Sequence, residues 1–531
     1  MRNKVVLLIL AGALLLTGCN PEVGSGEVDF GDVYVDGSEI EEGQSGEGST
    51  CVTHVDKDGD TWCDICEDSV IVYVDFYAVN DLHGKIADGD SQPGVDELST
   101  YLKEARKKDD HVIVLSTGDM WQGSSESNTT QGLIMTEWMN EMDFVGMALG
   151  NHEYDWGEDA IEKNLAIADF PFLAINIYDK DTNKPVEYCQ PSVMVEAGGL
   201  KIGIIGAIGD CYSSIAKDKT KEIYFKVGDE LTELVKEEAK DLRMRGADCV
   251  VYALHDGYDD NITGMSKPMA ASKFASYYDV ELSDGYVDLV FEAHTHKEYI
   301  FQDEHGVYHL QHRGDNSGGI SHVEMAINSI SKDVKVNLAS LVEKESYENL
   351  EDDPIVENLL DKYEDKLAST TQKLGTNKYF RDGDVMCQIV ANLYYTKGVE
   401  KWGDKYDIAL GGGCITIRNP YELPKGNVTY SQLQTLFPFD NEIVLCSIKG
   451  RDLQFSFFEN DNEDYFIAYG DYGKSIMDNI DPDKIYYVVT DTYSSTYKPN
   501  RLTEIERYET GVYARDLLAE LAKDGGFKKK Y

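Results

Sequence analysis

The chain has 531 residues, and 42% of them are hydrophobic, which is enough for two or three folded domains and excludes a largely disordered protein. The formal net charge is −48. Because nucleic-acid binding needs clustered Lys and Arg, this balance argues against a nucleic-acid partner and suits a secreted or surface protein kept soluble by self-repulsion.

The first residues have the pattern of a targeting segment. A charged start is followed by an apolar run of 12 residues, Val5 to Leu16, which is too short to span a membrane. The run ends in Leu-Thr-Gly-Cys, which resembles a bacterial lipobox and implies cleavage before Cys19 and a lipid on its sulfur. An ordinary signal peptide with a chance cysteine is the alternative. We expect 1–18 to be a lipoprotein signal peptide and Cys19 to anchor the protein to the extracellular face of a bacterial cell membrane.

Residues 19–50 are predicted to be a flexible acidic linker. Between Asn20 and Thr50 lie nine acidic residues and no Lys or Arg. A segment of this composition buries too little apolar area to order itself, so it suits a stalk between the membrane and the folded body.

A small module rich in Cys, His and Asp follows at 51–68, and three interpretations of it are open. The CxxH and CxxC spacing is typical of a structural zinc site, with the ligands Cys51, His54, Cys63 and Cys66. Acidic residues also fall at positions 1, 3, 5, 9 and 12 of a calcium loop, namely Asp56, Asp58, Asp60, Asp64 and Glu67. A disulfide-pinned acidic turn without metal is the third interpretation. We expect a structural Zn or Ca ion.

From Val70 onward, short apolar runs alternate with amphipathic stretches. Strands are predicted at 70–79, 112–117, 145–149, 250–254 and 288–292, and helices at 95–108 and 129–142. Strands rich in β-branched residues and separated by helices predict layered α/β structure. A helical run at 352–370 joins this body to a second mixed α/β region that begins near residue 378.

Each of these five strands is followed by Asp, Asn or His. The residues are Asp81 and His83, then Asp119, then Asn151 and His152, then His255, and finally His294 and His296. Ligands bind at the carboxyl ends of strands in α/β sheets, and five of the 11 histidines stand at these points, so coincidence is a poor explanation. Imidazole, carboxylate and amide oxygen suit Zn, Mn or Fe, and Asp119 is the natural bridge between two ions about 3.5–4 Å apart.

These residues resemble the signature of calcineurin-like metallophosphatases, and the stretches "NDLHG" and "GNHEYDWG" are similar to the 5'-nucleotidase branch in particular. The resemblance implies a four-layer α/β/β/α metallophosphatase domain at 70–345, a helical linker at 346–377 and an α+β substrate-binding domain at 378–531. One departure is Ala293, which stands where the family usually has Gly.

The same resemblance implies the role of each site residue. Asp81, His83 and His296 are expected to hold one divalent ion, and Asn151, His255 and His294 a second one, with Asp119 shared between the two. The ions are expected to be Zn, Mn, Fe or Mg. His152 is expected to face the phosphate instead of binding metal, and Asp155 is expected to orient its ring.

In the C-terminal region, the resemblance implies a nucleotide pocket. Arg418, after a Gly-rich loop, is expected to grip phosphate, while Phe439 and Tyr493 sandwich the base and Asn441 lies beside them. A core ring is the alternative for Phe439, and a plain turn is the alternative for the loop. The sequence departs from the family at Asp440, where Gly is usual, and at Tyr493, which replaces a Phe.

The sequence therefore predicts an extracellular, lipid-anchored, dinuclear-metal phosphohydrolase of the 5'-nucleotidase type. It is expected to release phosphate from nucleotides by attack of a metal-bound hydroxide. The alternatives are hydrolysis of UDP-sugars or 2',3'-cyclic nucleotides at the same site, or a non-catalytic surface-binding protein.

Overall fold

The computed structural model describes residues 54–88, 94–217, 219–257, 285–303, 305–314, 319–414, 422–454, 465–468, 480–496 and 501–529. The expected signal peptide and linker, with Cys19, Cys51 and Arg418, lie outside these described residues. Within the described ranges, no helix combines the length and the apolar character needed to cross a bilayer.

The first body is the described part of 70–345. Its strands are, in chain order, β1 (Ile71–Val79), β2 (Val112–Ser116), β3 (Met147–Ala148), β4 (Phe172–Leu173), β5 (Ile177–Asp179), β6 (Ser192–Ala197), β7 (Leu200–Ile208), β8 (Ile223–Phe225), β9 (Cys249–His255), β10 (Leu289–Phe291), β11 (Tyr299–Gln302), β12 (Tyr308–Gln311), β13 (Ile320–Asn328) and β14 (Val334–Val342). Its helices are Asp96–Lys108, Ser125–Thr130, Leu133–Glu141, Glu158–Leu165 and Asp229–Met244.

Two six-stranded sheets form the centre of the first body. The first sheet has the order β14-β13-β1-β2-β3-β4, and the second has the order β11-β12-β10-β9-β7-β6. The central pairs β1–β2, β2–β3, β7–β9 and β9–β10 are all parallel, so their carboxyl ends lie at one edge of each sheet.

The alternation of side chains along β1 divides the body into layers. Val74, Phe76 and Ala78 pack into a core shared with strands of the second sheet, such as β7 and β9. Tyr77 and Val79 point to the opposite face, into a core formed with the helices that cover the first sheet. The helix Asp229–Met244 covers the outer face of the second sheet. The predicted four-layer α/β/β/α architecture is confirmed.

Two helices connect the first body to the second. The described part of the second body contains a five-stranded mixed sheet and a separate two-stranded sheet. The connecting helices are Pro354–Lys362 and Glu364–Thr371. The strands of the second body are β15 (Lys373–Asn377), β16 (Ile408–Cys414), β17 (Gly426–Thr429), β18 (Ile443–Lys449), β19 (Tyr465–Ala468), β20 (Ile485–Asp491) and β21 (Thr503–Arg507). Its helices are Gly383–Trp402, Tyr430–Leu436, Gly450–Gln454, Thr492–Thr496 and Ala514–Lys523. The five-stranded sheet has the order β19-β16-β20-β18-β21, and β15 pairs with β17, although β15 lies in the range predicted as linker.

The predicted strands and helices agree with the observed ones except at helix breaks. The helix predicted at 129–142 is interrupted, because Gln131 and Gly132 adopt left-handed conformations with φ of 53° and 86°. Gly132 is required there because a Cβ would lie 2.6 Å from the ring of Trp121. The helix predicted at 352–370 is likewise divided, at Tyr363.

Candidate active site

The loops that follow five strands of the two sheets meet at one place. They follow β1, β2 and β3 of the first sheet and β9 and β10 of the second. Six of the seven predicted metal ligands lie in these loops, and the seventh, His255, is the last residue of β9; the six are Asp81, His83, Asp119, Asn151, His294 and His296. Within this set, the ligand atoms of Asp81, Asp119 and His255 lie within 4.8 Å of one another, and so do those of Asp81, His83 and His296. The sequence-predicted ligands are therefore neighbours in space.

One group of ligands comes from the β1 and β10 loops. Nε2 of His83 lies 3.2 Å from Nε2 of His296, and Nε2 of His296 lies 3.6 Å from Oδ1 of Asp81. The backbone N–H of His294 donates to Oδ2 of Asp81 at 3.0 Å, which ties the two loops together. The side-chain amide of Asn80 also donates to Oδ2 of Asp81, at 2.6 Å.

The other group surrounds His255. Its Nε2 lies 3.2 Å from Oδ2 of Asp119 and 3.1 Å from Oδ1 of Asn151. The ring of His294 is 5.5 Å away, centroid to centroid, and nearly perpendicular. Asp119 is thus shared by both groups, in agreement with the sequence-based expectation of a bridging carboxylate.

The orientation of two histidine rings is set by backbone carbonyls. Nδ1 of His83 lies 2.9 Å from the carbonyl oxygen of Gln122, and Nδ1 of His255 lies 2.6 Å from that of Thr117. An Nδ1–H that donates to a carbonyl leaves Nε2 with a lone pair, which is the form that binds a metal ion. Both Nε2 atoms point into the cluster, so the donor set present fits divalent cations.

Five of the seven predicted ligands adopt the left-handed backbone conformation. Their φ values lie between 49° and 69°, for Asp81, His83, Asp119, His294 and His296. Such conformations are costly for residues other than Gly, and they cluster at functional sites where the surrounding structure enforces them. Ala293, which replaces a family Gly, does not have positive φ, and so this substitution carries no backbone strain.

The buried charges perturb the titration of the cluster. Burial raises the pKa of Asp81. Burial acts in the same direction on Asp119, but the neighbouring His255 and His152 outweigh it and hold the pKa of Asp119 well below its usual range. Burial lowers the pKa of His294 to about 3, which leaves its imidazole neutral at neutral pH. Both carboxylates are almost fully buried, and such groups need cationic partners.

The fully buried Glu153 joins two of the loops. Its Oε2 accepts from the backbone N–H groups of Asp119 at 2.9 Å and Gly150 at 2.7 Å, and its Oε1 accepts from that of Met120 at 2.9 Å. The loops after β2 and β3 are therefore fixed relative to each other. The position of Glu153 inside the "GNHE" stretch favours a structural hydrogen-bond partner, but the sequence does not show which loops its carboxylate joins.

His152 and Asp155 form a pair on the 3-10 turn that follows β3. Nδ1 of His152 lies 2.9 Å from Oδ2 of Asp155, and the backbone N–H of His152 donates to Oδ1 of Asp119 at 2.8 Å. The ring of His152 also lies 5.4 Å from that of Phe439 in the second body. The pair thus stands between the ligand cluster and the second body.

A cavity of about 180 Å3 opens between the two bodies at this point. The first body contributes metal-ligand and acid–base residues to its wall, together with Lys219. The second body contributes Phe439, Asp440, Asn441 and Tyr493. Phe439 is half-buried and faces this cavity, so it is not a core ring. Three of the four predicted substrate residues therefore lie together, and the fourth, Arg418, is outside the described residues.

The segment that carries Phe439 is held by Arg515, which the sequence analysis missed. Arg515 is 4% exposed and donates from Nη1 to the carbonyl oxygens of Pro438 at 3.1 Å and Phe439 at 2.9 Å. Its Nη2 donates to the carboxylate of Asp440. Asp440 is thus the ion-pair partner of Arg515, which accounts for an acid at a position where the family has Gly. No local pattern in the sequence links two residues so far apart in the chain.

The expected Gly-rich loop is partly a strand. Gly411, Gly412 and Gly413 lie inside β16, in the five-stranded sheet. A Cβ at Gly411 would lie 2.2 Å from the backbone nitrogen of Tyr395, and so the close approach of the helix Gly383–Trp402 requires glycine there. Neither a phosphate-binding loop nor a plain turn describes these three residues.

The predicted Cys-, His- and Asp-rich module does not join this site. Its described ligands are His54, Cys63, Cys66, Asp56, Asp58, Asp60, Asp64 and Glu67, all of which precede β1. Asp81 and His83 follow the opposite end of the same strand. A nine-residue strand is about 30 Å long, so the two places are well separated.

The chain is similar to known phosphoesterases. Residues 74–298 match the profile of the calcineurin-like phosphoesterase family. Endonuclease YhcR of Bacillus subtilis (strain 168) is 27% identical over an alignment of 415 positions, and the match covers 71% of this chain and 32% of that protein. The 5'-nucleotidase of Bos taurus is 24% identical over an alignment of 407 positions, and the match covers 68% of this chain and 66% of that protein. The solved structure of a 5'-nucleotidase precursor from Thermus thermophilus has a TM-score of 0.62 at 18% identity and covers 85% of this chain and 96% of that chain.

The ligand cluster and the family match fall in the same part of the chain. Residues 74–298 match the calcineurin-like phosphoesterase model, and this region carries the His and Asp groups that could hold metal ions. The relatives include 5'-nucleotidases, and the structural likeness extends through both bodies. The chain spans only about a third of the length of YhcR.

Replacing Glu153 with Ala is expected to destabilise the site. The N–H groups of Asp119, Met120 and Gly150 would lose their buried acceptor, at a cost of about 2–5 kcal/mol in the free energy of unfolding. Denaturant unfolding measures this change, and metal content measures the accompanying loss of ligand geometry. Glu162→Ala, at an exposed position on the helix Glu158–Leu165, is the control and should change neither quantity. Equal stability of both variants would contradict the proposed connection between the loops.

Proposed function

We propose that this protein is an extracellular, lipid-anchored phosphohydrolase that releases phosphate from nucleotides in the manner of a 5'-nucleotidase. The main support is the convergence of Asp119 and six other candidate metal ligands, beside a cavity whose opposite wall carries two aromatic rings. Nucleotide substrates are also supported by the 5'-nucleotidases among the relatives.

In this proposal, the seven residues hold two divalent ions, and Asp119 is their common ligand. Asp81, His83 and His296 belong to one ion, and Asn151, His255 and His294 belong to the other. When bound, such ions supply positive charge that polarises the phosphoryl group and activates the attacking water. This mixture of nitrogen and oxygen donors binds Zn, Mn, Fe or Mg. Which of these metals the protein holds therefore depends on which metals are available to it.

His152 acts on the leaving group. Nδ1 faces Asp155, so the substrate phosphate or the leaving oxygen would meet the ring at the opposite nitrogen, Nε2. An imidazole in this place stabilises the charge that develops on phosphorus and donates a proton to the departing alkoxide. Asp155 is a positioning residue that fixes the tautomer and the orientation of the ring.

The second body selects the substrate. Phe439 and Tyr493 offer two faces for a nucleobase, and Asn441 supplies a polar contact on the same wall. Lys219, from the first body, adds a positive charge on the wall of the same cavity, which suits an anionic substrate. Arg418 is proposed as a further phosphate contact on the resemblance alone.

The acidic composition supports export to the outer face of the membrane and a small-molecule substrate. The N-terminal run that ends at Cys19 supports lipid attachment on the outer face of the membrane, and the acidic stretch up to Thr50 is long enough to act as a stalk. A net charge of −48 disfavours long nucleic acids as substrates.

Phosphate release from a substrate panel tests the proposal. The panel contains AMP, UDP-glucose, 2',3'-cyclic AMP, p-nitrophenyl phosphate and an oligonucleotide, each with and without a chelator. We expect AMP to be hydrolysed best, the chelator to abolish turnover, and added divalent metal to restore it. His152→Ala and Asp119→Asn should each lower kcat for AMP at least about 100-fold.

His111→Ala is the matched histidine control, because His111 lies before β2, at the amino end of the sheet, and should leave kcat unchanged. The proposal fails if no member of the panel releases phosphate in the presence of metal. If UDP-glucose or 2',3'-cyclic AMP were hydrolysed best, the protein would still be a phosphohydrolase, but the proposed preference for AMP would be wrong.

Stacking on the aromatic pair predicts a second result. Phe439→Ala and Tyr493→Ala should each raise KM for AMP about 5- to 150-fold, because base stacking is worth about 1–3 kcal/mol per ring. Ribose 5-phosphate, which has no base, should show little change in KM. Phe380→Ala, which removes a ring that is 52% exposed elsewhere on the second body, is the control. An equal rise in KM for both substrates would show that these rings do not recognise the base.

Lipid attachment at Cys19 predicts the location of the protein. Cys19→Ser should move the protein from the detergent-extracted membrane fraction to the medium or the soluble fraction, as measured by immunoblotting of fractionated cells. Cys189→Ser, at a half-buried cysteine of the first body, should remain with the membrane. Retention of the Cys19→Ser protein in the membrane would contradict the lipid anchor.

A further inference from the structure

The segment that precedes β1 brings three metal-binding side chains together. Nδ1 of His54 lies 3.5 Å from Sγ of Cys66, and the ligand atoms of His54, Cys63 and Cys66 all lie within 4.8 Å of one another. In a tetrahedral zinc site, Zn–S of about 2.3 Å and Zn–N of about 2.05 Å give an S···N edge of about 3.6 Å. The observed separation of His54 and Cys66 therefore matches this edge.

The backbone supports the two sulfur atoms. The N–H of Val55 donates to Sγ of Cys63 at 3.3 Å, and the N–H of Glu67 donates to the carbonyl of Cys63 at 2.9 Å, closing the turn that contains both cysteines. Cys63 is only 1% exposed. A backbone N–H that donates to sulfur stabilises a thiolate, which is the form that binds zinc.

The acidic side chains have another role in the same loop. Oδ1 and Oδ2 of Asp56 accept from the N–H groups of Gly59 at 2.7 Å and Thr61 at 3.1 Å. Oδ2 of Asp64 accepts from the N–H of Lys57 at 2.9 Å. Carboxylates that accept from nearby backbone N–H groups form tight turns, and so this acidic run serves to fold the loop. A calcium ion would need six to eight oxygen ligands, whereas the converging donors here are sulfur and imidazole.

We propose that His54, Cys63 and Cys66 bind a structural zinc ion that is separate from the catalytic metals. Binding releases the two thiol protons and forms two Zn–S bonds and one Zn–N bond, with no change of oxidation state. The CxxH spacing makes Cys51 the natural fourth ligand, but this residue lies outside the described residues and the proposal rests on the other three.

The zinc site fixes the amino end of strand β1. The N–H of Val70 donates to the carbonyl of Thr61 at 2.9 Å, and the carbonyl of Val70 accepts from the N–H of Ser329 at 2.8 Å. Trp62 and Ser69 form an additional bridge across the module. The ion thus closes a small loop against the amino end of β1, about 30 Å from the catalytic end of the strand, and it contributes stability instead of chemistry.

Metal analysis of the full mature chain tests this proposal. Cys63→Ser and Cys66→Ser should each contain one zinc equivalent less than the wild-type protein, while Cys189→Ser should contain the wild-type amount. In the wild-type protein loaded with Co2+, a thiolate-to-cobalt charge-transfer band should appear and should disappear in Cys63→Ser. This band reports thiolate ligation in the wild-type protein even if a variant fails to fold. The predicted catalytic ligand set contains no thiolate, so loss of hydrolysis and loss of this band are distinguishable.

Three results would overturn the proposal. The first is an unchanged zinc content in both serine variants together with no charge-transfer band in the wild-type protein. The second is a purified wild-type chain two hydrogens lighter than its reduced mass, with Cys63 and Cys66 joined by a disulfide. The third is a bound calcium ion that is lost in Asp56→Asn and retained in Cys63→Ser, with no zinc in this module.

Discussion

The fixed position of Asp119 is the constraint on which the rest of the site depends. Its backbone N–H is held by the buried carboxylate of Glu153, which also accepts from the N–H of Gly150 and so connects the loops after β2 and β3. Oδ1 of Asp119 accepts from the N–H of His152, and Oδ2 faces His255 from the second sheet. One carboxylate therefore connects the cluster of candidate ligands, His152 and both sheets, and a displacement of its loop would affect all three.

The two packed sheets explain how so many ligands reach one point. Each sheet alone brings only some of the strand ends to its edge, and the shared core between the sheets aligns these edges. Residues of these loops then adopt left-handed backbone conformations to aim their side chains inward. This strain is tolerated because buried hydrogen bonds, such as those of Glu153 and Asn80, enforce the loop conformations.

The second body holds an aromatic ring at the cavity by a buried ion pair and hydrogen bonds. A nearly buried arginine, Arg515, donates to consecutive carbonyl oxygens of the segment 437–439 and to Asp440, which fixes Phe439 at the cavity wall next to His152. The candidate metal ligands thus come from strand ends of the first body, whereas the aromatic surface comes from a loop of the second. The zinc site proposed before β1 lies apart from both, at the amino end of that strand.

The sequence by itself determined the layered α/β class, the main strands and helices of the first body, and the candidate ligands that gather from five strand ends. It did so because hydrophobic periodicity and strand-end residues are local properties of the chain. The tertiary structure alone decided the breaks at Gly132 and Tyr363, the strand that contains Gly411–Gly413, the buried connection made by Glu153 and the pairing of Arg515 with Asp440. These depend on contacts between residues distant in the chain or on the close approach of two backbones, and no local pattern encodes such contacts.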